Sequence, residues 1–189
     1  MPEQEDVADQ LSSCYSAICD EKELEAFVKR AEDSGRLCID LETTGLDVFT
    51  DTIVGYALAV EPGEAFYVPV AHESVSPPKQ AGMFDDEPEE ADDCGFETQV
   101  PPGRALEIIR RAIENPAIEC LGHNLKFDLL VLRNAGADIA NVAYDSLIAA
   151  YLIEPESRQL GLKPLASRML GIRMRSYADV AGKGKDQVG

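Results

Sequence analysis

From Leu37 to Leu46 the chain reads Leu-Cys-Ile-Asp-Leu-Glu-Thr-Thr-Gly-Leu. Its first half has the apolar content of a buried strand, interrupted by Asp40 and Glu42 two residues apart, a spacing that places both carboxylates on one face of a strand. Upstream, Leu24, Phe27, Val28 and Ala31 recur at helical spacing behind Asp20 and Glu23, so an amphipathic helix over 21–32 with a capping box at its start is predicted. Downstream, the alternation of Ile53, Val54, Tyr56, Leu58 and Val60 predicts a strand over 52–60. A Pro62-Gly63 turn and a further strand over 65–70 complete a three-strand antiparallel meander.

Later patterns are helical. A helix over 103–114 buries Leu106, Ile109 and Ile113 and stops before Pro116. A short buried strand over 117–121 leads to a helix over 124–135, ended by Gly136. Asp145 reads as the N-cap of a helix over 146–153, and Gly171 closes a last helix over 163–170. A meander followed by helix, strand and helix predicts an α/β fold with a mixed sheet flanked by helices.

Between these halves, 74–102 is rich in Pro, Asp and Glu and too polar to order itself; it reads as a disordered acidic insertion, as 1–11 reads as a disordered acidic N-terminus. At 189 residues the remainder, 12–189, suits one domain, expected to be monomeric. There is no apolar run of membrane-spanning length and no signal pattern at Met1 to Gln10, so a cytoplasmic location without a membrane partner is expected. The five cysteines include no CxxC pair. Cys38 and Cys120 lie in apolar runs, which predicts small buried hydrophobes and free thiols rather than zinc ligands.

Net charge changes the picture only when it is divided. The formal value of −18 argues against a polyanionic partner, yet Met1 to Gln10 and Asp85 to Glu97 hold 12 acids and no base between them. From Ser157 to Gly189 the balance reverses, with seven bases (Arg158, Lys163, Arg168, Arg173, Arg175, Lys183, Lys185) against Asp179 and Asp186. A basic end beside an acidic strand suits a protein that holds metal ions and touches a polyanion.

Asp40 and Glu42 admit two readings. They are a strand end that has reached solvent, or a pair whose mutual repulsion is relieved by a divalent cation that prefers oxygen ligands. A second candidate stretch, His123-Asn124-Leu125-Lys126-Phe127-Asp128, puts Asp128 in the first turn of a helix after a buried strand. Taken in order, Asp40-x-Glu42-Thr43, Asn124-x-x-Phe127-Asp128, Tyr144-Asp145-Ser146 and Ala181-Gly182-Lys183-Gly184-Lys185 resemble the 3'-5' proofreading exonuclease domain of the family A DNA polymerases, within the DEDD exonuclease superfamily. The likeness runs from about Ser12 to Gly189, outside the acidic insertion.

The resemblance implies a ribonuclease H-like fold and two-metal hydrolysis, with Mg2+ or Mn2+, at a single-stranded 3' end of DNA. Asp40, Glu42 and Asp128 are then the catalytic and metal-binding carboxylates. Thr43, Leu46, Asn124, Phe127 and Tyr177 contact the substrate, Leu46 as a wedge and Tyr177 by stacking. On the residues alone, Leu46 is equally a loop hydrophobe and Tyr177 a packing residue, Asp145 is a helix cap rather than a ligand, His123 is structural, and Lys183 and Lys185 form a basic loop. The family's third motif, Tyr-x-x-x-Asp, does not occur before Gly189. The chain is therefore expected to be a fragment of a polymerase, weak or inactive by itself. The competing expectation is a non-catalytic spacer domain of such a polymerase that binds nucleic acid.

Overall fold

The computed structural model describes residues 14–72, 98–172 and 174. Strands β1 (Cys14–Ala17), β2 (Arg36–Thr43), β3 (Ile53–Ala59), β4 (Glu64–Pro69), β5 (Glu119–Gly122) and β6 (Val142–Asp145) form one sheet in the order β1-β4-β3-β2-β5-β6. Strands β2, β3 and β4 pair antiparallel as the expected meander, whereas β1 joins β4, β5 joins β2 and β6 joins β5 in parallel. Helices α1 (Glu21–Ser34), α2 (Pro102–Ile113), α3 (Leu125–Asn134), α4 (Ser146–Ile153) and α5 (Leu162–Leu170) flank it. None of these helices is long and apolar enough to cross a membrane.

Helix α1 starts where the sequence places it, because the Asp20 carboxylate accepts from the amides of Lys22 and Glu23. Its buried stripe is Leu24, Phe27, Val28 and Ala31, and α2 buries Ala105, Ile108, Ile109, Ala112 and Ile113. These side chains join Leu37, Ile39 and Leu41 of β2 and Tyr56 and Leu58 of β3 in one continuous core. Helix α3 ends at Asn134, and Gly136 then takes a φ of 88°, the left-handed turn that makes glycine the natural stop.

The structure departs from the sequence pattern in four places. Strands β1 and β6 are additional; each is a four-residue edge pairing, too short to show a period, and the first three residues of β6 are exposed. Of the acidic insertion expected over 74–102, residues 74–97 lie outside the described residues, as does the acidic N-terminus over 1–11, while the last part is ordered chain: Val100 is buried, Gln99 bonds the backbone of His72 at both its N–H and its C=O, and Pro102 already opens α2. Cys38 is not a buried hydrophobe. The alternation of β2 puts it on the exposed face while Cys120 is buried, and Cys19, Cys38 and Cys120 are free thiols. Helix α4 is apolar all round, yet none of its residues is buried.

Candidate active site on the open face of the sheet

Strand β2 alternates strictly, so Leu37, Ile39 and Leu41 face the core while Cys38, Asp40 and Glu42 face outward together. Across the antiparallel ladder Asp40 stands opposite Ala57 and Glu42 opposite Gly55, both small residues. A register shift between Glu42 and Thr43 then breaks the ladder and turns the chain into the following loop. There the Thr43 hydroxyl donates to the Gly45 carbonyl at 2.6 Å. The Asp51 carboxylate gathers the Thr44 hydroxyl at 3.0 Å and the Asp47 amide at 2.6 Å. Leu46 projects from this braced loop and is 90% exposed, and Phe49, three residues on, is exposed as well.

Asp128 arrives from the other side. Strand β5 pairs with β2 only as far as Cys38, so the later amides of β2 on that side lack a strand partner. Helix α3 follows β5 and fills the gap: Asp128 Oδ1 accepts from the Leu41 amide at 3.0 Å. The residue is 3% exposed. Burial, and next the charge of Asp40, push its carboxyl up to about 6, against the opposing effect of its backbone hydrogen bonds.

Asp40 is the electrostatic hub of this face. Desolvation raises its own pKa, partly offset by His123, and its charge in turn adds to the desolvation that raises Glu42, Asp128 and the Cys38 thiol. Among the described residues Asp40, Glu42 and Asp128 take part in no ion pair with Lys or Arg. An all-oxygen, uncompensated donor set has the chemistry of a hard divalent cation site. The gathering is incomplete, however. Among the described residues no three His, Cys, Asp or Glu side chains are grouped closely enough to hold a metal ion, and Asp128 is tied to the strand backbone by one of its two oxygens.

Asp145 is a helix cap, as its sequence context suggests, but it caps two helices. Its Oδ1 accepts from the amides of Leu147 (2.8 Å) and Ile148 (3.3 Å) at the start of α4, and its carboxylate also accepts from Asn124 (3.0 Å) and Leu125 (2.9 Å) at the start of α3. Burial alone would raise its pKa; the four amides together outweigh burial and hold it below the ordinary carboxylate value. This joint fixes Asn124, whose φ of 64° is the one positive value among described non-glycine residues, and so sets the angle at which α3 presents Asp128. His123 sits in the same corner, its Nδ1 2.9 Å from the Ser146 hydroxyl, which donates to the Gly122 carbonyl at 3.2 Å.

The structure thus brings Asp40, Glu42 and Asp128 into one electrostatically coupled region and leaves the Asn124 and Leu46 side chains exposed. Phe127 is half-buried and packs on the core. Tyr177, Lys183 and Lys185 lie outside the described residues. Sequence reasoning missed Tyr67, which reaches this face over Gly55; a glycine inside a strand was the available signal.

A mixed sheet with carboxylates on its open face and helices around it is the frame of the ribonuclease H-like exonucleases. The chain belongs to the 3'-5' exonuclease family, whose model matches residues 15–188. DNA polymerase I of Pseudomonas aeruginosa is 29% identical over 176 residues, covering 92% of this chain and 17% of that protein. DNA polymerase I of Rhizobium leguminosarum is 28% identical over 186 residues, covering 93% and 17%. The chain therefore spans about a sixth of the length of these relatives. In fold it is similar to Escherichia coli RNase D, an exoribonuclease involved in structured RNA processing (TM-score 0.56, 13% identity, 92% of this chain and 39% of that one), and to Mycobacterium smegmatis Pol1 (TM-score 0.60, 18% identity, 85% and 23%).

The buried Asp128 carries a pH signature. Its pKa is raised on folding, so the folded state holds the proton more tightly, and the associated stability is complete below about pH 4 and lost as pH rises through about 6. Asp128→Asn, which keeps an acceptor for Leu41, is expected to flatten that part of the curve, a difference of up to about 2–3 kcal/mol between pH 4 and 7. Urea midpoints of both proteins across this range measure it; parallel curves would contradict the assignment.

Proposed function

We propose that this chain hydrolyses the terminal phosphodiester at a single-stranded 3' end of DNA, using Asp40, Glu42 and Asp128 with Mg2+ or Mn2+, as part of a longer protein that also carries a polymerase domain. The observation that carries the reading is the coupling of three carboxylates through Asp40, without a Lys or Arg partner among the described residues. Bound divalent cations supply the charge that lets these carboxylates ionise together and polarise water and phosphate oxygens. Asp40, whose charge acts on both of the other acids, would hold the cations together with Glu42 and Asp128.

The rest of the chain grips the substrate. Leu46, exposed on a loop braced by Asp51, would serve as a wedge against the terminal base, with Thr43 and the exposed Asn124 as further contacts to the terminal nucleotide. Arg158 and Lys163, exposed at the basic end, suit a phosphate backbone. Exposed Ile148, Leu152, Ile153 and Met169 suit a fold completed by further chain, which agrees with relatives several times longer.

The ungathered carboxylates favour a second reading, a spacer domain that binds nucleic acid without cutting it. Calorimetric titration with Mg2+ and Mn2+ separates the two. Binding that Asp40→Ala weakens at least tenfold supports the nuclease, and equal binding by both proteins leaves the spacer.

A further inference from the structure

Strand β4 runs beside β3 so that Tyr67 stands opposite Ala57, which in turn stands opposite Asp40; Pro69, Gly55 and Glu42 make the adjacent row. The Tyr67 ring leans from its own row into the next. A methyl group built on Gly55 would lie 1.9 Å from the Tyr67 hydroxyl oxygen, so the phenol occupies the space where a side chain of β3 would otherwise stand. Paired residues on one face of an antiparallel ladder have Cβ positions about 5 Å apart, which puts this hydroxyl within reach of the Glu42 carboxylate. Burial, and next the Glu42 charge, push the Tyr67 phenol up to about 12.

The phenol is also held from behind. Its oxygen lies 2.6 Å from His72 Nε2. The His72 backbone is clamped by Gln99, whose side chain accepts from the His72 amide and donates to its carbonyl, both at 2.8 Å. A tyrosine hydroxyl has one proton and can accept as well as donate. In the His72 tautomer that carries its proton on Nε2, the ring donates to the phenol oxygen and the phenolic proton turns to an acceptor other than His72; across the Gly55 row that acceptor is the Glu42 carboxylate.

We propose that Tyr67, oriented by His72 over the notch at Gly55, is a positioning residue of the carboxylate site that hydrogen-bonds Glu42 and sets the direction of its carboxylate. The proposal rests on the reading of Glu42 as a metal-binding carboxylate. Loss of a group that orients a metal-binding side chain commonly lowers metal affinity 10–100-fold. Tyr67→Phe keeps the ring and its packing and removes only the hydroxyl.

The test uses the chain labelled with 13Cζ-tyrosine, in which the Tyr67 line is identified by its loss in Tyr67→Phe. Glu42→Gln is expected to move that line, while Asp33→Asn, on the exposed end of α1, leaves it in place. In parallel, Tyr67→Phe is expected to bind Mg2+ about tenfold more weakly than the parent chain at an unchanged melting temperature. An unmoved line in Glu42→Gln overturns the proposal, as does parental Mg2+ affinity in Tyr67→Phe when Asp40→Ala has lost binding. If Asp40→Ala binds as the parent does, the metal reading has failed, and the response of the Tyr67 line to Glu42→Gln decides the contact by itself.

Discussion

Asp145→Ala is expected to destabilise the folded chain by about 3 kcal/mol, read as a shift of the urea midpoint. Each helix N-cap is worth about 1 kcal/mol when exposed and up to about 2 in favourable sites. Asp145 serves two helices, is 8% exposed, and would leave four amides without their acceptor. Asp145→Asn, which keeps one acceptor oxygen, should lose about half as much. The acid dependence runs opposite to that of Asp128: the Asp145 pKa is depressed on folding, so its contribution is present above about pH 4 and disappears as pH falls through the folded value. A variant as stable as the parent, with the same acid profile, would show that water replaces the carboxylate at both helix starts.

The second large effect concerns cutting. The 189 residues alone are expected to leave 5'-labelled single-stranded DNA intact with Mg2+ or Mn2+, because a trio of carboxylates that can take one divalent cation is short of charge for the pair that hydrolysis uses. Two cations held close together need more negative charge than a loosely spaced trio supplies, and the positioning of an attacking water is worth several kcal/mol of barrier. A longer polypeptide extended through a Tyr-x-x-x-Asp helix should shorten the same DNA from its 3' end. Robust digestion by the 189 residues, lost in Asp128→Ala, would show that metal and DNA gather the carboxylates without further chain.

The parts that were legible in sequence are those governed by local periods. The two-residue alternation of β2 placed Asp40 and Glu42 together on one face, and Asp20, Asp145 and Gly136 announced helix ends through their own backbone chemistry. What escaped depends on which strands become neighbours. The second cap made by Asp145 exists only because β6 lies beside β5, and the bond from Leu41 to Asp128 exists only because β5 stops short. Tyr67 belongs to the same class: its place beside Glu42 follows from the pairing of β4 with β3 and from an empty position at Gly55. Edge strands β1 and β6 carry too few residues for any period to be read.

Cys38 shares the open face with Asp40. Alkylating agents and oxidants attack the thiolate rather than the thiol. Desolvation, then the charges of Asp40 and Asp128, raise the Cys38 pKa and so disfavour its thiolate. The two acids therefore add to the burial that disfavours the neighbouring thiolate, and any cation that neutralised them would make that sulfur more nucleophilic.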